Sequence, residues 1–138
     1  MVIFINEMSK AYIKETEDLL KQAVECIYRL EMEYSAIDIN KLFRMAHIIR
    51  ESSHKEGNED IVNLMQNLEG MLIYARKGSI RFDKSIVSLC FEAMDIVKKI
   101  LLCKSEEGSQ EIMEGLANAA SRINEMIEVF IRVNRSVE

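Results

Sequence analysis

His47 is the residue in this chain best suited to chemistry. It lies in Lys41-Leu42-Phe43-Arg44-Met45-Ala46-His47-Ile48-Ile49-Arg50-Glu51-Ser52-Ser53. Leu42, Phe43, Ala46 and Ile49 follow helical spacing on one stripe, which leaves His47 at the edge of that stripe. An imidazole placed there can take up a phosphoryl group and hand it on. That chemistry needs one ring nitrogen in solvent, the other held by a hydrogen bond, and a cation for the added charge. Arg50, three residues on, lies about one turn away on the same face, and its permanent charge suits phosphoryl oxygens.

A third residue comes from farther along the chain. Glu69 lies one turn after Met65, at the edge of the apolar stripe Ile61, Leu64, Met65, Leu68, Met71, Leu72 and Ala75. If the two helices align across their seam, Glu69 can accept a hydrogen bond from His47. On spacing alone, a lone helical histidine is more often a surface residue with no task, and a helix-surface arginine is equally ordinary.

Other chemistries find less support. His54 is two turns from His47, too far for the pair to chelate one metal. His47 and Glu51 are four apart, which favours a local hydrogen bond or ion pair over metal sharing. The chain has no Gly-rich phosphate loop and no HExxH. Ser52 and Ser53 lack the partner spacing of a nucleophile. Cys26, Cys90 and Cys103 are odd in number and without CxxC spacing, so small buried hydrophobes are expected. Free thiols fit a reducing cytoplasm, and a cytoplasmic location is expected. The apolar Met1-Val2-Ile3-Phe4-Ile5 is too short for a signal peptide or a span, and charges interrupt every other apolar run, so no membrane association is expected.

The elements that must position these residues are helices. The chain has 138 residues, 49% apolar, with no proline and five glycines, so little interrupts a helix and few turn residues are present for sheets. The net charge of −5, with basic residues scattered among acids, disfavours a nucleic-acid partner. Five helical segments are read. The first runs from about Asn6 to Glu33, with Ile13, Leu20, Ala23, Ile27 and Leu30 inward. Ser35-Ala36-Ile37-Asp38 connects it to the second, with Asp38 as N-cap. The second runs to about Lys55 and carries His47. Gly57 ends it and Asn58 caps the third, which stops near Arg76 and Lys77 before Gly78. Asp83 caps the fourth, which buries Ile86, Leu89, Cys90, Ala93, Val97, Ile100 and Leu101. A polar loop over Ser105 to Ser109 precedes the fifth, which reaches about Arg135. Its face carries Ile112, Leu116, Ala119, Ala120, Ile123, Ile127 and Phe130. Short connections make neighbours antiparallel. The expectation is an all-α, up-down antiparallel four-helix bundle with an additional fifth helix, in one domain. The bundle covers about 6–103 and the fifth helix about 109–135.

Leu42-Phe43-Arg44-Met45-Ala46-His47-Ile48-Ile49-Arg50 resembles the phosphorylation-site helix of histidine-containing phosphotransfer (HPt) domains. It is most similar to the N-terminal HPt domains of CheA-type chemotaxis histidine kinases, where the pattern is roughly F-R-x-x-H-x-L-K-G. Asn67-Leu68-Glu69-Gly70-Met71-Leu72 resembles the family's following helix, with its L-E-x-x-L segment. Phe91-Glu92-Ala93-Met94-Asp95 resembles part of the fourth helix, and Tyr12-Ile13-Lys14-Glu15-Thr16 the opening F-x-x-E-x. The resemblance covers about Tyr12 to Leu101, and the fifth helix more weakly. It implies that His47 is the phosphoacceptor, that Glu69 orients it, and that Arg50 stands at the family's lysine. Gln66 stands where CheA commonly has a second histidine near the site. Glu51 stands where the family has glycine, and adds bulk and a carboxylate.

The function implied is a phosphorelay carrier of two-component, chemotaxis-type signalling. Its partners would be a response regulator receiver domain, a histidine kinase ATP-binding domain, or both. The chain carries no ATP-binding signature, so it is a substrate and carrier more than an enzyme. No cofactor is expected; magnesium would arrive with the partner. A monomer is expected. Two other readings remain open: a degenerate HPt-like module that docks a kinase or regulator without phosphotransfer, favoured by Glu51, and a plain structural bundle.

Overall fold

The computed structural model describes residues 8–78, 82–103 and 106–137. It contains α1 (Lys10–Met32), α2 (Ala36–Glu56), α3 (Glu59–Arg76), α4 (Lys84–Leu102) and α5 (Glu106–Val137). No strand occurs among the described residues. The fold is an all-α bundle with a C-terminal fifth helix, as the periodicity predicts.

Local chemistry sets most boundaries. Ser9 caps α1 by accepting from the Tyr12 N–H. The expected start near Asn6 lies outside the described residues. Gly57 takes the left-handed conformation (φ 80°) that ends α2, and the Asn58 N–H returns to the Ser53 carbonyl at 2.8 Å. Asn58 then caps α3 through Ile61, with Glu59 and Asp60 in the first turn. Asp83 caps α4, accepting from the N–H groups of Ser85 and Ile86 at 3.0 and 3.2 Å.

Two boundaries differ from the sequence reading. The N-cap of α2 is Ser35, whose hydroxyl accepts from the Asp38 N–H. Asp38 lies inside the first turn instead, where its carboxylate meets Arg29 Nε at 3.1 Å. A serine three residues upstream can satisfy the same orphan donors, and that frees the aspartate for the ion pair. The second difference is at α5, which begins at Glu106 where a loop to Ser109 is expected. Ser109 is buried at 1% exposure, so it belongs to the packed face of the helix and not to a surface connection.

The first four helices form a closed ring. Pairs at matching heights set their directions. Tyr12 meets Ser53 and Arg29 meets Asp38 across α1 and α2. Phe43 lies under Arg76 across α2 and α3, and Tyr28 packs on Phe91 across α1 and α4. Neighbours are therefore antiparallel. The core holds Ile27, Ile39, Leu42, Ile49, Met65, Leu68 and Leu72, all inaccessible. Burying such side chains contributes about 1.5–3 kcal/mol each, the main term holding the ring closed. Cys26 and Cys90 are also fully buried, and burial pushes the Cys90 thiol up to about 12. Cys103 is only partly buried.

The fifth helix packs outside the ring against α3 and α4. Ile112, Ala119 and Ile123 are buried, while Leu116, Ile127 and Phe130 pack on the core from its edge. Ile127 reaches Gly70, Phe130 stacks on Tyr74 at 6.4 Å between ring centroids, and Arg122 pairs with Glu92. None of the described helices is long and apolar enough to cross a membrane.

Candidate functional site

The site forms on the seam between α2 and α3. Leu42, Ala46 and Ile49 are fully buried and fix the rotation of α2. Met65, Leu68 and Leu72 do the same for α3. With both helices held this way, His47 and Arg50 emerge at one edge of α2 and Glu69 faces them from α3. The His47 side chain keeps 41% of its surface exposed, whereas that of Glu69 keeps 11%.

Arg50 occupies the middle of the group. Its Nε donates to Glu69 Oε1 at 2.7 Å, and a terminal guanidinium nitrogen lies 3.0 Å from His47 Nδ1. The bond to Glu69 is the larger reason that the guanidinium holds its proton even more firmly than usual. Glu69 Oε1 lies 3.6 Å from His47 Nδ1, beyond ordinary hydrogen-bond reach. The 3.0 Å approach of Arg50 is thus the closer contact at that nitrogen. On the outer side, Glu51 Oε1 lies 3.1 Å from Nε2. The four residues His47, Arg50, Glu51 and Glu69 therefore make one connected polar cluster.

Other residues singled out in the sequence lie apart from this cluster. Gln66 is exposed one turn earlier on α3. His54 pairs with Glu59 at 3.3 Å, near the α2–α3 turn. Ser53 is fully buried, its hydroxyl 2.6 Å from that of Tyr12, where it ties α2 to α1. Spacing within one helix brings out Arg50 and Glu51 as neighbours of His47. It does not bring out the insertion of Arg50 between His47 and Glu69, because that depends on the register of two helices. Ile48 (40% exposed) and Arg44, both exposed on α2, flank His47 and give its surroundings an apolar and basic rim.

Comparison with known proteins finds similarity to a sensor histidine kinase. Over 106 residues, 76% of this chain, the sequence is 27% identical to the sensor histidine kinase CheAY of Helicobacter pylori. The match spans 13% of the length of that kinase. This supports a CheA-like relationship. No family model matches, and no solved structure gives a significant match.

Proposed function

We propose that the chain is a phosphohistidine carrier of two-component, chemotaxis-type signalling, with His47 as the acceptor. One observation carries this reading. The imidazole is substantially open to solvent on a rigid helical seam, and Arg50 and Glu69 lie against its inner nitrogen. The relationship to a sensor histidine kinase supports it. The five helices would act together as one HPt-like domain.

The chemistry asks little of the chain itself. The Nε2 lone pair forms a bond to phosphorus as the bond from phosphorus to the donor oxygen breaks. That oxygen keeps the electron pair. For that attack the ring proton must be on Nδ1, turned toward Glu69, while Arg50 meets the phosphoryl oxygens. The donor is a kinase ATP-binding domain or a phosphorylated receiver domain, and the acceptor is a receiver aspartate. The partner brings magnesium with it.

A second reading has its own observation. Glu51 occupies the neighbourhood of Nε2, as it would in a module that docks signalling partners without carrying phosphate. Incubation with a CheA-type ATP-binding domain and radiolabelled ATP separates the two. A carrier takes up acid-labile, base-stable label that is absent from His47→Gln, while the melting temperature is unchanged. A docking module binds the partner and stays unlabelled.

A further inference from the structure

The partners of the two ring nitrogens determine where the ring proton sits. A guanidinium carries only N–H donors. Its nitrogen 3.0 Å from Nδ1 therefore requires Nδ1 to offer its lone pair. The ring N–H is then at Nε2, directed to the Glu51 carboxylate at 3.1 Å. Glu69 does not compete for a proton on Nδ1, since its Oε1 is 3.6 Å away and receives Arg50 Nε at 2.7 Å.

We infer that Glu51 and Arg50 latch His47 in the Nε2–H tautomer, and that Glu51 selects for a partner that presents a lysine or arginine side chain to its carboxylate. In the latched state the outward nitrogen has no lone pair to offer, and an anionic phosphoryl group would meet a carboxylate. The Glu51 side chain is 62% exposed, so a cation on a docking surface can reach it. Its withdrawal frees Nε2–H. That proton passes to water and Nδ1 takes one from water, so the ring stays neutral. Nδ1–H then turns to Glu69 as Arg50 swings outward to the phosphoryl oxygens. The functional consequence rests on the phosphotransfer reading; the tautomer does not.

The test uses the full chain labelled with 15N-histidine and long-range proton–nitrogen correlation in alkaline buffer. The expected result is an Nε2–H pattern for His47, shifted toward Nδ1–H in the double variant Arg50→Ala/Glu51→Gly, which releases both ring nitrogens and leaves Glu69 as the acceptor facing Nδ1. Glu51→Gln keeps an acceptor oxygen but loses the charge, so it should hold the Nε2–H pattern. With phosphoramidate as a partner-free donor, Glu51→Gly should label roughly tenfold faster than the parent, the scale of one like-charge contact removed at the surface. An Nδ1–H pattern in the parent chain overturns the latch, whether or not His47 can be labelled. If the tautomer behaves as expected but neither phosphoramidate nor a kinase domain labels any form, the latch stands and the carrier reading falls.

Discussion

Arg50 stands between His47 and Glu69, with Nε 2.7 Å from the Glu69 carboxylate and a terminal nitrogen 3.0 Å from the His47 ring. The two ends of this bridge differ in burial. The Arg50 side chain is 29% exposed and that of Glu69 11%, so removing one partner is not equivalent to removing the other.

Arg50→Ala leaves the Glu69 carboxylate without its nearest cation in a largely buried position. Stranding a polar group in this way costs about 1–3 kcal/mol. Urea unfolding should show a lower midpoint with an unchanged slope. In the phosphotransfer assay the same variant should label at least ~10-fold more slowly, since it also loses the charge that meets the phosphoryl group. A labelling rate equal to that of the parent would remove Arg50 from the chemistry.

Glu69→Ala should be milder for the fold. The guanidinium it releases can turn to water, so a loss below about 1 kcal/mol is expected. Phosphorylation of His47 should nonetheless slow, because nothing on α3 is left to hold Nδ1–H. The informative comparison is between the two readouts in one variant. Circular dichroism melting should barely move while the labelling rate falls, and an unchanged rate would take Glu69 out of the site.

Gly70→Ala tests the packing of α5. A Cβ added at Gly70 would lie 3.6 Å from Ile127 Cδ1, an ordinary van der Waals separation. The position lies within α3 with no positive φ to relieve, so alanine should stabilise the helix by about 0.5–1 kcal/mol. A destabilised variant would mean that α5 sits closer to α3 than described.

Asp60 provides a pH-dependent test of stability. Its Oδ2 is buried without a hydrogen-bond partner, and burial raises the carboxyl pKa. A carboxyl raised in the folded state binds its proton more tightly there than in the unfolded chain. The stability it confers is complete below the unfolded value of about 4 and is lost as pH rises through the folded value. Asp60→Asn should therefore exceed the parent in stability at neutral pH, and the advantage should disappear below about pH 4. Chemical denaturation at several pH values checks the sign. An advantage that grows on acidification would contradict it.

Much of the fold is legible in the sequence because helix ends and stripes are local. Asn58, Gly57 and Asp83 carry their end signals within a few residues, and the stripe from Ile61 to Ala75 is periodic enough to define α3. The misplaced cap at Asp38 shows where local reading stops. Ser35 and Asp38 are both competent caps, and Arg29, from the preceding helix, decides what the aspartate does. The start of α5 is similar: a run of serines, glycine and glutamates reads as a loop until Ser109 meets the bundle. At the site, the neighbours on α2 follow from spacing, and the approach of Glu69 follows from adding an expected helix alignment. The path of Arg50 between them does not follow, because a long side chain chooses its rotamer from partners on another helix.

The placement of α5 has a mechanical consequence for the seam. With α2 on one flank and α5 on another, α3 is clamped, and Glu69 rides on it like the fixed jaw of a vice. Adjustment at the imidazole then falls to Arg50 and Glu51, the freely jointed side chains on the opposite jaw, and needs no excursion of the backbone.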